Sequence, residues 1–488
     1  MRAASGTRLG VAVLSVLFVG VIAVGARGML HHSAGYPAAS RAENCDRWVG
    51  PRGNNRASGA RDRPWATLKY AAKHVRDAGC TVWFRDGVYK GTQSVERRFS
   101  TRVTFRAIHP YRAVFVSNGA ALDVGGNAGW ITFRGLRLRQ SGSGADGVLV
   151  YVSGSDDGKP APDHISFVNN VIHDSWGDDL LKIRSAADHI TVRGNVFYNQ
   201  SASEQHIDVN GVTNVTIEGN IFFNDFGGSG RPDRRDTKQF IVVKDSNGGA
   251  DGFRGSRRIT IERNVFLRWQ GGDEGVISIG NDGSGYLEAQ HVDIVNNLVI
   301  GNGSDHADSA LNIYGAGDVR YVNNTVVGDF PTDSFAMSVG IKEANPRNRD
   351  ILFANNIWSD PTRTMRTFSN GDRGDTVGLT LRRNLYWNGG ARVPGGSLIK
   401  PRDDPRPVFG NPRINRDQRR ISLPYWEGRR FRSGNRTIGQ EFVRLVRRYG
   451  RIDPNGAAVN RAIASLAPRD DILGRPRRAS PDLGAFEA

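Results

Sequence analysis

The sequence predicts an all-β chain folded as a right-handed parallel β-helix, with an N-terminal capping helix and a C-terminal extension. The first observation is a repeated phrase, in which Ile190-Thr-Val-Arg-Gly-Asn195-Val-Phe returns as Val215-Thr-Ile-Glu-Gly-Asn220-Ile-Phe. The second is its recurrence at Asn170, Asn264, Asn297, Asn324, Asn356 and Asn384, with successive asparagines 25, 25, 44, 33, 27, 32 and 28 residues apart by subtraction. The third is alternation, which buries one face of each short strand but gives no single unit a core of its own. Coils of roughly 20–30 residues that must stack to bury anything mean a β-solenoid. Parallel connections are right-handed by default. An Asn at a fixed corner is expected to take the left-handed backbone turn and to hydrogen-bond to its equivalents along the pile.

The chain has 488 residues and a net charge of +17. From Pro361 to Ser480, 25 Arg plus Lys400 face 10 Asp and Glu, so 26 − 10 = +16 of charge falls after most of the repeats. No recognised nucleic-acid motif accompanies it, so nucleic acid is not the expected partner.

In chain order, residues 1–30 hold Arg2, Arg8 and then an uncharged apolar run, Leu9 to Ala26. This is an export signal cleaved after Ala26 or an N-terminal anchor, and both place the body outside the cytoplasm. Residues 31–44 read as a linker. Residues 45–125 are a cap and first coils, in which Cys45 and Cys80 are expected to form a disulfide. Between them, Pro64 to Asp77 has helical period, with Pro64 at its start and Gly79 at its stop. Thr81-Val-Trp-Phe-Arg-Asp-Gly-Val-Tyr89 reads as strand, turn, strand. Residues 126–400 are the β-helix. Residues 401–488 are an extension packed on the solenoid's end, with helical patches such as Glu441 to Arg448 and a closing strand at Asp482 to Phe486.

The opening resembles bacterial proteins of the pectate-lyase-like superfamily, through Trp48-Val-Gly-Pro-Arg-Gly-Asn54, Pro64-Trp-Ala-Thr-Leu68 and Arg85-Asp-Gly-Val-Tyr89-Lys-Gly. Pro481-Asp-Leu-Gly-Ala-Phe-Glu487 resembles the way many of them end. The likeness spans about 45–400 plus that last stretch and implies the β-helix fold. It does not settle activity, because the superfamily holds lyases, hydrolases, epimerases and non-catalytic surface proteins.

Ahead of each Asn-bearing strand lies a second register: Leu180-Leu-Lys-Ile-Arg184, His206-Ile-Asp-Val-Asn210, Phe240-Ile-Val-Val-Lys244, Val276-Ile-Ser-Ile-Gly280, Ala310-Leu-Asn-Ile-Tyr314 and Ser338-Val-Gly-Ile-Lys342. With Ile183, Val209, Val243, Ile279, Ile313 and Ile341 inward, their neighbours form outward rows. One row is Lys182, Asp208, Val242. The next is Arg184, Asn210, Lys244, Gly280, Tyr314, Lys342, and a third is Leu180, His206, Phe240. Coils about 4.8 Å apart then gather these groups, with Asp178, Asp179, Glu204 and Lys238, into a patch roughly 15–20 Å across.

That patch is suited to β-elimination on an acidic, uronate-containing polysaccharide, with the chain a monomer. Lys244 is the first candidate base and Lys182 and Arg184 are alternatives, on the expectation that neighbouring cations lower the lysine pKa. His206, Asn210, Lys238 and Lys342 are candidate substrate contacts, while Asp178, Asp179, Glu204 and Asp208 offer the oxygen ligands Ca2+ prefers. In the resembling families the cleft follows this face, carboxylates hold calcium, and Lys or Arg is the base. The match departs from them in detail. Chondroitinase B and its alginate-lyase relatives place acids five and seven residues before the lysine, where this chain has Gln239 and Thr237. They place an arginine on the next coil, where it has Ser278 and Gly280. The pectate-lyase type with four aspartates finds Lys182 in place of one. A non-catalytic carbohydrate-binding or envelope protein, or a glycoside hydrolase, are the alternative functions.

Overall fold

The computed structural model describes residues 45–155, 159–231, 237–272, 274–303 and 305–488, all within one compact unit. The export signal or anchor, the linker and Asp236 and Asp273 lie outside the described residues. Three parallel sheets of 13, 10 and 12 strands run the length of the molecule, each coil adding one strand to each sheet. In the Asp188 to Phe223 region, Asp188–Arg193 belongs to the first sheet, Val196–Tyr198 to the third and Ile207–Asn210 to the ten-stranded one, before Thr213–Glu218 returns to the first. The register follows the repeat, since Ile190 pairs with Val215 and Val215 with Ile259. This is the right-handed parallel β-helix the repeats predict.

The asparagines form a continuous buried row. Asn195 donates its backbone N–H to Asn220 Oδ1 at 2.8 Å and its Nδ2 to the same oxygen at 3.0 Å, while that Nδ2 also donates to Phe167 O at 2.9 Å. The pattern repeats through Asn264, Asn297, Asn324, Asn356 and Asn384. Asp404 ends it, accepting from Asn384 N at 2.8 Å and Nδ2 at 2.9 Å. The left-handed residue is not the row Asn but the one before it: Gly194 has φ 66°, Gly219 65° and Arg263 53°. The strained turn thus falls on one position and the buried hydrogen bonds on the next, which corrects the expectation that one Asn does both.

The Cys45–Cys80 disulfide is formed. Helix α1 is shorter than its period predicts, Leu68–His74, capped by Thr67, because Trp65 is held in extended pairing with Val49. Its Leu68, Ala71 and Ala72 are buried against the first coil, where Leu68 N donates to Gln93 Oε1 at 3.1 Å. Thr81–Phe84 and Gly87–Lys90 are both strands, but they lie in different sheets rather than in a hairpin.

The C-terminal extension corrects two expectations. It covers the outer face of the twelve-stranded sheet rather than the solenoid's end: Tyr425, Phe442, Leu445, Ile472 and Phe486 form a second apolar core with Tyr198, Phe223, Leu267, Ile300 and Ile357. Helix α2, Ile438–Tyr449, supplies one apolar face of that core, with Phe442, Leu445, Val446 and Tyr449 buried. Asp482 to Phe486 is not a strand. Asn323 Nδ2 holds it by the carbonyls of Asp482 and Gly484 at 3.1 and 3.0 Å, and Gly484 N donates to Asn355 O at 2.8 Å. Left-handed Asn323 and Asn355 point outward, so they are free to bind the tail. Replacing Asn264 by Ala would strand the donors of Asn220 and the acceptors at Ile217 and Asn297, and should cost about 2–4 kcal/mol, seen as a lower thermal midpoint by circular dichroism.

Candidate functional site

In the ten-stranded sheet, strands Leu181–Arg184, Ile207–Asn210 and Ile241–Lys244 lie side by side. Lys182 pairs with Asp208 and Asp208 with Val242, while Arg184 pairs with Asn210 and Asn210 with Lys244. Two of the three expected rows are therefore real. In-register stacking brings Lys182 Nζ to 3.0 Å from Asp208 Oδ2, 3.0 Å from Asp179 Oδ2 and 3.9 Å from Asp178 Oδ1. Lys244 Nζ lies 3.1 Å from Asp282 Oδ1 and 4.0 Å from Asp208 Oδ2. Asp208 is the hub: it is fully buried, and no hydrogen-bond donor of good geometry reaches either of its oxygens among the described residues.

The third row is corrected. Leu180, His206 and Phe240 precede their strands by one residue, in the turn, where alternation no longer applies, and all are buried. His206 stacks within 4.5 Å of Phe240 and its Nε2 lies 3.0 Å from Asn224 Oδ1. Burial pushes its pKa down to about 3, so it is a neutral core residue and not a substrate contact. Lys342 is also displaced. Val339, not Ile341, pairs with Ile313, and the strand ends at Gly340, leaving Ile341 exposed and Lys342 bonded to Asn281 Oδ1 at 3.1 Å. Lys238 pairs with Glu274 at 3.2 Å, Asn210 bonds Ser246, and Arg184 Nε donates to Ser185 Oγ at 3.0 Å.

Electrostatics reverse the expected tuning of the base. Desolvation works against the Lys244 ammonium, but Asp208 and Asp282 outweigh it and hold its pKa above the usual lysine value. Lys182 is likewise raised, because Asp208, Asp179 and Asp178 overcome its burial. The neighbours that count are carboxylates, not cations. Five of them, Asp178, Asp179, Glu204, Asp208 and Asp282, surround two ammonium groups, and the shortfall of positive charge appears as retained protons. Burial, then repulsion from Asp208, raises Asp179 well above the ordinary carboxylate range. Burial, then Asp178, lifts Glu204 to about 7.

A carboxylate oxygen from each of Asp178, Asp179 and Glu204 lies within 4.8 Å of the others. Ligands about 2.3–2.6 Å from one Ca2+ stand at most about 5 Å apart, so the spacing and the missing positive charge both fit a divalent cation. Asp208 stands outside this trio, between Lys182 and Lys244. Sequence reasoning missed Asp282, whose carboxylate reaches Lys244 from a loop. It also missed Glu288, whose buried carboxylate accepts from Asn281 N, Asp282 N, Ser284 N and Asn345 Nδ2 at 2.7–3.0 Å and so fixes the loop that aims Asp282 at Lys244. The dense Gly-Asn-Asp-Gly-Ser-Gly run before Glu288 was the available signal. Gln239 and Thr237 are buried and bonded to Glu274 and Gln270 O.

No protein-family model matches the chain, and no curated protein matches it by sequence. Among solved structures, pectate lyase Pel9A superimposes with a TM-score of 0.54 and 14% identity, over 91% of this chain and 96% of that one. The fold is that of a pectate lyase. A rhamnogalacturonan lyase (TM-score 0.45, 13% identity, 68% and 86% covered) and a mannuronic-acid-specific family 6 polysaccharide lyase from human gut microbiota (0.44, 13%, 76% and 89%) align less closely. At such identities the likeness is one of fold.

The raised Glu204 pKa carries a sign. Between pH 4.5 and about 7 the unfolded chain loses the Glu204 proton while the folded chain keeps it, so stability contributed by the protonated group is lost as pH rises through that window. Glu204→Gln should therefore gain thermal stability over the wild type at pH 8 but not at pH 4, measured in EDTA so that no cation intervenes.

Proposed function

We propose that this chain is an exported lyase that cleaves a uronate-containing polysaccharide by β-elimination at the charged cluster on the ten-stranded sheet. The observation that carries the reading is the carboxylate trio Asp178, Asp179 and Glu204 at cation spacing, with Lys182 and Lys244 beside it on the same and the following coils. Glycosidase carboxylates work in pairs roughly 5–9.5 Å apart, so a trio within 4.8 Å favours holding a cation over acid–base hydrolysis. The Cys45–Cys80 bridge favours an oxidising compartment.

Asp178, Asp179 and Glu204 would hold Ca2+, which when bound neutralises the substrate carboxylate and makes the adjacent C5–H acidic. Lys244, as the free amine, takes the C5 proton; the C4–O bond then breaks, a C4–C5 double bond forms, and the departing oxygen is protonated. Asp208 and Asp282 position Lys244 and also hold its proton, so the active form gathers only as pH rises. Glu204 must ionise before it can ligate, which adds to the same trend. Lys182, already ion-paired to Asp179 and Asp208 at 3.0 Å, acts as a fixed cation within the acidic cluster.

Polygalacturonate, alginate and glycosaminoglycans, incubated with and without Ca2+, should yield new ultraviolet absorbance from unsaturated sugar ends on one of them. Reducing ends without that absorbance would mean hydrolysis, and retention on an affinity gel without product would mean a binding protein. Lys244→Ala should lower the rate by about 10²–10⁴-fold, and the wild-type rate should climb into the alkaline range. A maximum near pH 7 would assign the base to Glu204 instead.

A further inference from the structure

Away from the candidate site, where the first coils meet the C-terminal extension, lies a groove of about 1120 Å³ lined by Arg112, Arg137, Arg429, Arg430 and Arg436. Its two acids are already engaged: Asp86 by His109 and Arg112 at 2.9 and 3.3 Å, and Glu427 by Arg432 at 3.0 Å. Among the described residues no carboxylate lies within salt-bridge distance of Arg137, Arg429, Arg430 or Arg436, and Arg137 Nε is buried without a hydrogen-bond acceptor. Desolvation depresses the Arg137 guanidinium and Arg139 adds to it, against a partial counter-pull from Asp174. A half-buried guanidinium with an unfilled N–H is costly unless an anion completes it. Guanidinium groups gathered around one groove are suited to carboxylate or sulfate groups. Aromatic platforms for bases are missing from the walls, since Tyr111 is buried edge-on against Trp426; that disfavours single-stranded nucleic acid.

We propose that this groove is a second binding site for the acidic polysaccharide, formed only when the extension folds onto the twelve-stranded sheet. The cleft itself is short of positive charge and attracts a polyanion poorly, whereas the arginine groove attracts it at long range. The choice of saccharide rests on the reading of the cleft; the anion site does not. A polymer held at the groove is presented to the cleft at raised local concentration, so loss of the groove raises KM for long chains while leaving kcat and the turnover of short oligomers unchanged.

The test compares Arg429→Ala/Arg430→Ala/Arg436→Ala with a charge-matched control, Arg447→Ala/Arg461→Ala/Arg469→Ala, on immobilised polygalacturonate and dextran sulfate. EDTA and a Lys244→Ala background make retention independent of any turnover or cation in the cleft. The groove variant should elute at lower salt, with the slope of log affinity against log salt reduced by about two to three, and the control should stay close to the parent. Arg430→Glu alone, at an exposed position, should move elution in the same direction. Equal shifts in both triple variants, no shift in either, or tighter groove-dependent retention on duplex DNA than on both saccharides would overturn the proposal, whatever the cleft is found to cleave.

Discussion

Everything in this molecule depends on coils stacking in strict parallel register, and the buried asparagine row is the interaction that enforces it. Each row Asn satisfies the backbone N–H of the coil before it and reaches back to a strand carbonyl, so a slipped coil would leave several buried polar groups unpaired at once. The row starts at Leu136 N, which donates to Asn170 Oδ1 at 2.9 Å, and closes on the Asp404 carboxylate. Between those ends apolar stacking, such as Phe197 on Phe222 on Phe266 at 5.1 and 4.9 Å, fills the interior.

The same register creates the candidate site. Lys182, Asp208 and Lys244 occupy three successive coils, yet their charged atoms meet within 4.0 Å. No packing inside a single coil could do this. Because carboxylates outnumber ammonium groups there, the cluster keeps protons that ordinary acids would have lost. That imbalance unites a high Lys244 pKa, a Glu204 near neutrality and the fit of a divalent cation as consequences of one charge count in a partly desolvated place. The positive charge that this cluster lacks stands instead on the extension, so a strongly basic chain carries an acidic cluster on one sheet.

Much of the architecture was legible in the residues. The eight asparagines, the two outward rows, the disulfide and helix α2 all follow from periodicity and spacing. Where reading failed, it failed at strand ends. His206 and Ile341 were assigned by extending a period of two beyond the strand, but one residue past the end the backbone turns and the side chain goes elsewhere. Asp404 escaped because the last row partner is an acid only 20 residues after Asn384. The lysine pKa was misjudged because carboxylates, Asp208 on the neighbouring strand and Asp282 from a loop whose reach no local pattern encodes, outnumber the cations around Lys244.

By itself the sequence determined the repeat, its parallel stacking and which strand positions face outward, because those follow from local periodicity and short-range sterics. Only the tertiary structure decided that His206 is core and that Asp208 lies between two lysines. It also decided that the extension lies along a sheet instead of across an end. Each of these depends on groups tens of residues apart sharing a low-dielectric space, and the energies there are set by who the neighbours are, not by what precedes and follows along the chain.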